Sequence, residues 1–218
     1  MKSFIQSHEV SKFVKDGMSI MVGGFLSNGS PELLISAVLE SNVSNLTIIC
    51  NDGGYEDKGV GRLISAGRVS KLIASHIGTN PAVGRLMQEN KIIVKLVPQG
   101  TLAEQIRAAG AGLGGILTPT GMNTVVAEGK KVITVQGKEF LLEEPIKADL
   151  ALLGGAIADE FGNLRYRGTM RNFNPIMAMA CDNVIAEVSE VVKMLDPEMV
   201  ITAHPFVDYI LVGGNKNG

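Results

Sequence analysis

Between Asp16 and Pro31 the chain reads DGMSIMVGGFLSNGSP, which sets Gly23, Gly24 and Gly29 around the polar pair Ser27 and Asn28, behind a short apolar run. Residues of these types at this spacing can bind an anion or a developing oxyanion. Glycine lets a backbone approach a ligand closely, and N–H groups left bare by the turn act as donors. The turn does not fit a dinucleotide fingerprint, because neither Gly23 nor Gly24 starts a GxGxxG register. No Gly-Lys-Ser/Thr follows it, so it is not a phosphate loop either. Three more polar segments stand where apolar runs end: Asn51-Asp52, His76 to Asn80, and Pro98-Gln99-Gly100-Thr101. Each has a plain structural reading. Asn-Asp is a turn pair, Asn80-Pro81 a helix start, and Gln99-Gly100 a loop before a helix.

The elements that must position these residues follow from the hydrophobic pattern. Apolar runs of strand length recur at Met18–Val22, Leu46–Cys50, Lys71–Ala74, Ile92–Val97, Leu150–Gly154 and Val184–Glu187. Helical periodicity lies between them, at Glu32–Glu40, Pro81–Glu89 and Thr101–Ala109. Ser30 reads as the N-cap of the first helix and Pro31 as its first helical residue. This alternation predicts an α/β fold with one open, mostly parallel, doubly wound sheet and flanking helices, residues 1–218 forming a single domain. The carboxyl ends of such strands share a crevice, which brings the four polar segments together. After Gly110 a glycine-rich passage leads to a β-hairpin excursion, Lys131–Val135 and Glu139–Leu142 about Gln136-Gly137-Lys138. Phe161-Gly162-Asn163 reads as a further turn, Asn174-Pro175 as a helix start, and no internal repeat is evident.

Composition excludes several classes. The net charge of −2, with signs interspersed, offers no field for nucleic acid or a membrane surface, and Trp is absent. No apolar segment is long enough to span a bilayer, and MKSFIQSHEV has no signal-peptide core, so a cytoplasmic protein is expected. Cys50 and Cys181 are far apart and read as core residues, while His8 and His204 have no metal partners in sequence, so no metal site is expected.

Taken together the segments resemble the alpha chain of the family I 3-oxoacid coenzyme A-transferases, in particular the alpha subunit of the bacterial acetate or butyrate–acetoacetate members. DGMSIMVGGFLSNGSP carries the resemblance, followed in order by ND, ASHIGTNP, VPQGTLAEQIRAAGAGLGG, LTPTG and RNFNP. It implies a fold shared with ribose-5-phosphate isomerase and ping-pong transfer of coenzyme A from a short-chain acyl-CoA or acetoacetyl-CoA to a carboxylate such as acetate or butyrate. The intermediate would be a glutamyl-CoA thioester. The nucleophilic glutamate belongs to the beta subunit, in a Glu-Asn-Gly-type motif. Here Glu89-Asn90 is followed by Lys91, so this chain is expected to supply no catalytic nucleophile and to work in a heterotetramer of two alpha and two beta chains. The coenzyme A thioester is a substrate, and no permanent cofactor is implied.

By the same resemblance Gly23, Gly24, Phe25, Leu26, Ser27, Asn28 and Gly29 form the coenzyme A-binding segment. Asn51 and Gln99, placed by strand-end position, are the supporting side-chain amides. Lys58, Arg62 and Arg107 are candidate phosphate contacts for which exposed salt-bridge roles are the favoured reading, and His76 reads as structural. Two other readings remain open: a non-catalytic acyl-CoA-binding subunit, and a sugar phosphate isomerase-like enzyme, for which no acid/base pair or basic pocket is apparent.

Overall fold

The structure, a computed structural model, describes residues 1–213. In chain order its strands are β1 (Ser3–Ile5), β2 (Ser19–Val22), β3 (Leu46–Ile49), β4 (Val69–Ala74), β5 (Ile93–Leu96), β6 (Ile116–Thr118) and β7 (Val132–Val135). They continue with β8 (Lys138–Glu143), β9 (Ala148–Gly154), β10 (Ile157–Asp159), β11 (Leu164–Arg165), β12 (Cys181–Val188), β13 (Glu190–Val192) and β14 (Tyr209–Val212). The α-helices are α1 (Glu32–Glu40), α2 (Gly61–Ser65), α3 (Pro81–Gln88), α4 (Gln99–Gly110) and α5 (Asn174–Met177).

Eight strands form one sheet in the order β1-β14-β12-β9-β2-β3-β4-β5. Every pairing in it is parallel. Parallel neighbours need crossovers, and crossovers cover both faces, which is why the central strands carry consecutive apolar residues, such as 20–22 and 150–153. Along β2, Ile20 and Val22 enter one core with Leu34, Val38, Leu63 and Val83, while Met21 enters the other with Leu102, Ile106, Phe173 and Met177. The chain moves outward from β2 to β5, returns to β9 on the other side of β2, and continues to β12 and β14. The winding therefore reverses between β2 and β9, and the carboxyl ends of those strands are the topological switch point where open α/β sheets hold ligands.

The six expected strands and three expected helices all form, with shifts of a few residues at their ends. The hairpin is tighter than its sequence reads. Gln136 and Gly137 alone make the turn, at φ 52° and 76°, and Lys138 already belongs to β8, opposite Val135. Five strands have no counterpart in the sequence reading, β1, β6, β10, β13 and β14, whereas β11 begins at Leu164, directly after the expected turn Phe161-Gly162-Asn163. All are short, and β1 exists only through parallel pairing with β14 from the other end of the chain.

Three helix starts differ from expectation: Gln99 and Gly100, expected in a loop, already open α4, Phe173 rather than Asn174 is the N-cap of α5, and the start of α1 is displaced. Pro31 is the N-cap of α1, Glu32 is the first helical residue, and Ser30 provides no cap. The free N–H groups of Leu33 and Leu34 donate instead to Glu187 Oε2 at the end of β12, at 2.8 and 3.0 Å. A long-range carboxylate thus does the work that a local serine would otherwise do.

Candidate active site

At the end of β2 the chain leaves through Gly23 and Gly24 into a two-residue hairpin turn. Phe25 N–H donates to Asn28 O at 3.0 Å and Asn28 N–H returns a bond to Phe25 O at 2.8 Å. Leu26 and Ser27 between them have φ 45° and 68°, a left-handed pair that glycine or asparagine adopts far more readily than leucine. The second segment of the switch point presses against this turn. A Cβ on Gly154 would stand 2.2 Å from Gly29 O, and one on Gly23 only 1.7 Å from Asn174 Oδ1, so both positions require glycine for packing.

A second turn of the same outline follows β3. GGFLSNG at 23–29 is echoed by GGYEDKG at 53–59, with a Tyr55–Lys58 bridge matching Phe25–Asn28. Gly54 and Gly59 have positive φ, as do Gly24 and Gly29. This corrects the expectation of no internal repeat. Three identical glycines and one aromatic position over seven residues fall below what sequence periodicity detects, but two neighbouring strand ends in one sheet display them side by side.

Asp52 ties the two turns together. It is only 4% exposed, yet Oδ2 accepts Leu26 N–H at 3.0 Å and Oδ1 accepts Gly54 N–H at 2.8 Å. The third polar segment supports the second turn. His76 O accepts Gly53 N–H, Asn80 Nδ2 donates to Gly53 O, and Thr79 Oγ1 donates to Gly54 O. Asn80 Oδ1 also caps α3 through Ala82 N–H. Asn51, 3% exposed, accepts a hydrogen bond from Gln99 Nε2 at 2.9 Å, so the two amides singled out from sequence are in direct contact beside the turn pair.

The RNFNP motif holds the first turn from the opposite side. Asn172 Nδ2 donates to Asn28 O at 3.0 Å. Asn174, fully buried, donates to Gly29 O and Met170 O and accepts Gly154 N–H. In the sequence Asn174 read as a helix start, and both asparagines otherwise carried only a resemblance. Their hold on the glycine turn was hidden because Asn28 and Gly29 lie more than a hundred residues away.

Several N–H groups of the 23–29 segment are engaged within the protein: Gly23 to Leu152 O, Phe25 to Asn28 O, Leu26 to Asp52, and Asn28 to Phe25 O. Those of Gly24, Ser27 and Gly29 donate to no protein acceptor among the described residues. Ser27 Oγ is likewise buried and without a partner. It faces a cavity between the turns, shared by Gly23, Gly24, Cys50, Asp52 and Gly54, that has room for about one water molecule. The bare donors are therefore fewer than the seven-residue segment would allow, and they come from before, within and after the strained pair.

Charged groups around the turns are committed to scaffolding. Glu32 accepts Gly59 N–H at 2.7 Å and pairs with Arg62 at 3.2 Å, while Arg62 also reaches Ser36. Arg107 pairs with Glu104 on the exposed side of α4. Lys58 makes no ion pair among the described residues. Glu89 caps the C-terminus of α3 and pairs with Lys91, away from any strand tip. Burial, reinforced by the Asp52 charge, pushes the Cys50 thiol well above its ordinary range, so this cysteine is a core residue and not a thiolate. No group of three or more His, Cys, Asp or Glu among the described residues is arranged to hold a metal ion, and no helix is long and apolar enough to cross a membrane.

The comparisons with known proteins bear on this geometry directly. Residues 5–213 match the Coenzyme A transferase family. The alpha chain of the acetate CoA-transferase of Escherichia coli K12 is 52% identical over 94% of this chain and 94% of its own length. The alpha chain of the acetoacetyl-CoA:acetate/butyrate CoA transferase of Clostridium acetobutylicum is 49% identical over 95% and 96%. Among solved structures, an acyl-CoA transferase from E. coli O157:H7, in a thioester complex with CoA, superimposes with a TM-score of 0.87 at 24% identity. That likeness covers 99% of this chain and 48% of the other, so this chain spans about half its length. Switch point, paired turns and sequence agree, and the chain belongs to the coenzyme A transferase family, among its alpha subunits.

Proposed function

We propose that this chain, acting as a single domain over residues 1–218, forms the coenzyme A-facing half of a cytoplasmic transferase that moves coenzyme A between acetoacetyl-CoA or a short-chain acyl-CoA and acetate or butyrate. The supporting observation is a donor site without a nucleophile. Bare N–H groups of Gly24, Ser27 and Gly29 gather at the switch point, while the neighbouring carboxylates of Glu32 and Glu187 are already occupied by backbone N–H groups. A beta subunit supplies the attacking glutamate, in an assembly of two alpha and two beta chains. Its carboxylate adds to the thioester carbonyl, and the coenzyme A thiolate leaves as the acyl group passes to the glutamate. The thiolate then attacks the glutamyl carbonyl, giving the enzyme thioester and releasing the carboxylate; a second carboxylate reverses these steps.

Each addition places negative charge on an oxygen. A donor aimed at that oxygen contributes on the order of 3 kcal/mol, which is the task assigned here to the 23–29 segment, with Asn51 and Gln99 beside it. Because one Gln99 Nε2 hydrogen goes to Asn51 Oδ1, the Asn51 amide hydrogens and the second Gln99 hydrogen are the donors that pair leaves over. The one-water cavity between the turns cannot enclose an acyl group, so the acyl pocket is shared with the partner. No resident cofactor or metal enters this chemistry.

The experiment is to purify the chain together with its beta partner and follow coenzyme A transfer from acetoacetyl-CoA to acetate and butyrate. An intact complex without transfer overturns the proposal. Gly24→Val is the sharper probe. Gly24 has φ 121°, and its added Cβ would stand 2.4 Å from Ser30 Oγ, so transfer is expected to be lost. Gly84→Ala, in α3 with nothing within 4 Å of the new atom, is the control that keeps full activity.

A further inference from the structure

The small sheet β6-β8-β7 stands apart from the main one, and its register sorts its side chains into two faces. Leu117 pairs with Leu142 and Ile133 with Phe140, while Val135 pairs with Lys138. Since cross-strand partners share a face and alternate residues along β8 do too, Leu117, Ile133, Val135, Phe140 and Leu142 lie on one side. The other side carries Leu141 and Glu143, 0% and 3% exposed, turned into the protein. The apolar side belongs to neither hydrophobic core, and Leu117 and Val135 on it are 42% and 41% exposed. An antiparallel sheet normally turns a polar face to water, so a face apolar across all three strands marks a covered surface.

The charges at its two ends identify what covers it. Lys138 opens β8 on the apolar face, and Glu144, the next residue of that alternation, follows the strand. Both are exposed, and neither makes an ion pair among the described residues. Six residues of strand separate them by roughly 20 Å, too far to pair within one chain. A second copy laid face to face, with its β8 running the opposite way, sets each Lys138 against the other's Glu144 and packs Phe140 against Leu142 about the axis. We propose that this face is an isologous twofold interface between two copies of the chain. The inference deepens the two-alpha, two-beta assembly proposed above and rests on it for the presence of the second copy.

The test is a charge swap read by particle mass, using light scattering on the full chain over a concentration series, alone and with its beta subunit. Lys138→Glu and Glu144→Lys should each raise the dissociation constant of the alpha pair roughly tenfold or more, and the double variant should restore it. Phe140→Glu should leave one alpha chain per particle with the beta subunit still bound; the charge reversals, at exposed positions, carry the test if this variant misfolds. A chain monomeric at every concentration, a double reversal that fails to restore pairing, or a Phe140→Glu chain that sheds its beta subunit overturns the inference. In the last case the face belongs to the partner. Transfer activity separates the two claims, because a complex with one alpha chain that still transfers coenzyme A leaves the proposed function standing.

Discussion

Glu187 shows how one side chain can serve the fold at a cost that depends on pH. Burial raises its carboxyl to about 7, with the nearby Glu32 charge adding to the effect and the N–H groups of Leu34 and Leu33 opposing it. The unfolded chain releases this proton near 4.3, so between about 4.3 and 7 the native state holds a proton that the unfolded state does not. Stability from this group therefore rises as pH falls through 7, by up to about 3 kcal/mol by the time pH 4.5 is reached. Asp149 acts in the opposite sense, being held below its usual range by hydrogen bonds from Ser19, and its contribution is lost only in more acid solution. Glu187→Gln keeps an oxygen for Leu33 and Leu34 without a buried charge. In urea titrations it should exceed the wild type by about 1–3 kcal/mol at pH 8, with the gap closing by pH 5. Parallel pH curves for the two proteins would show that Glu187 is already ionised without penalty.

At the scale of elements, the paired turns share an outline but not a backbone strain. Leu26 and Ser27 are both left-handed, whereas Glu56 and Asp57 at the matching positions of the second turn are not. Holding a leucine there costs about 1 kcal/mol or more, and the surroundings that enforce it are Asp52 on one side and Asn172 on the other. Replacing Leu26-Ser27 with Asn-Gly, the pair best suited to this turn, should raise stability by about 1–2 kcal/mol. Transfer should fall at the same time, because the Ser27 hydroxyl facing the cavity is lost. A stabilised variant with unchanged kinetics would mean the turn's side chains serve only the backbone. The sequence made the glycine turn and the strand-end segments legible, because the strands are buried on both faces and their polar ends stand out, and it put Asn51 and Gln99 at neighbouring strand ends, where the two amides meet. It did not show Asp52 as a tie between two turns, nor Glu187 as the cap of α1. Those are contacts between segments whose local patterns are complete without one another.

For the molecule as a whole, the proposed site lies on the seam between the outgoing strands β2 to β5 and the returning strands β9, β12 and β14, so the shape of the glycine turn depends on both halves. The short elements at the margins have lengths too small for periodicity to register, and β1 with β14 and β10 with β13 also pair over long range. Asn174 is the residue where the seam is closed. It comes from the returning half, receives Gly154 N–H from β9, and donates to Gly29 O of the glycine turn and to Met170 O. Asn174→Ala removes three hydrogen bonds in a fully buried setting and leaves an N–H and two carbonyls without partners. The expected loss is about 3–5 kcal/mol of stability. Gly29 would also lose its tether, so transfer should fall further than the folded fraction explains. Asn174→Asp separates these effects, since it keeps the acceptor for Gly154 but loses the donor to Gly29. If the donor positions the turn, the aspartate variant will bind its beta subunit normally and turn over slowly at temperatures where it is fully folded. If its transfer rate instead tracks only the fraction folded, the tie is structural and the turn holds its shape through Asp52 and Asn172.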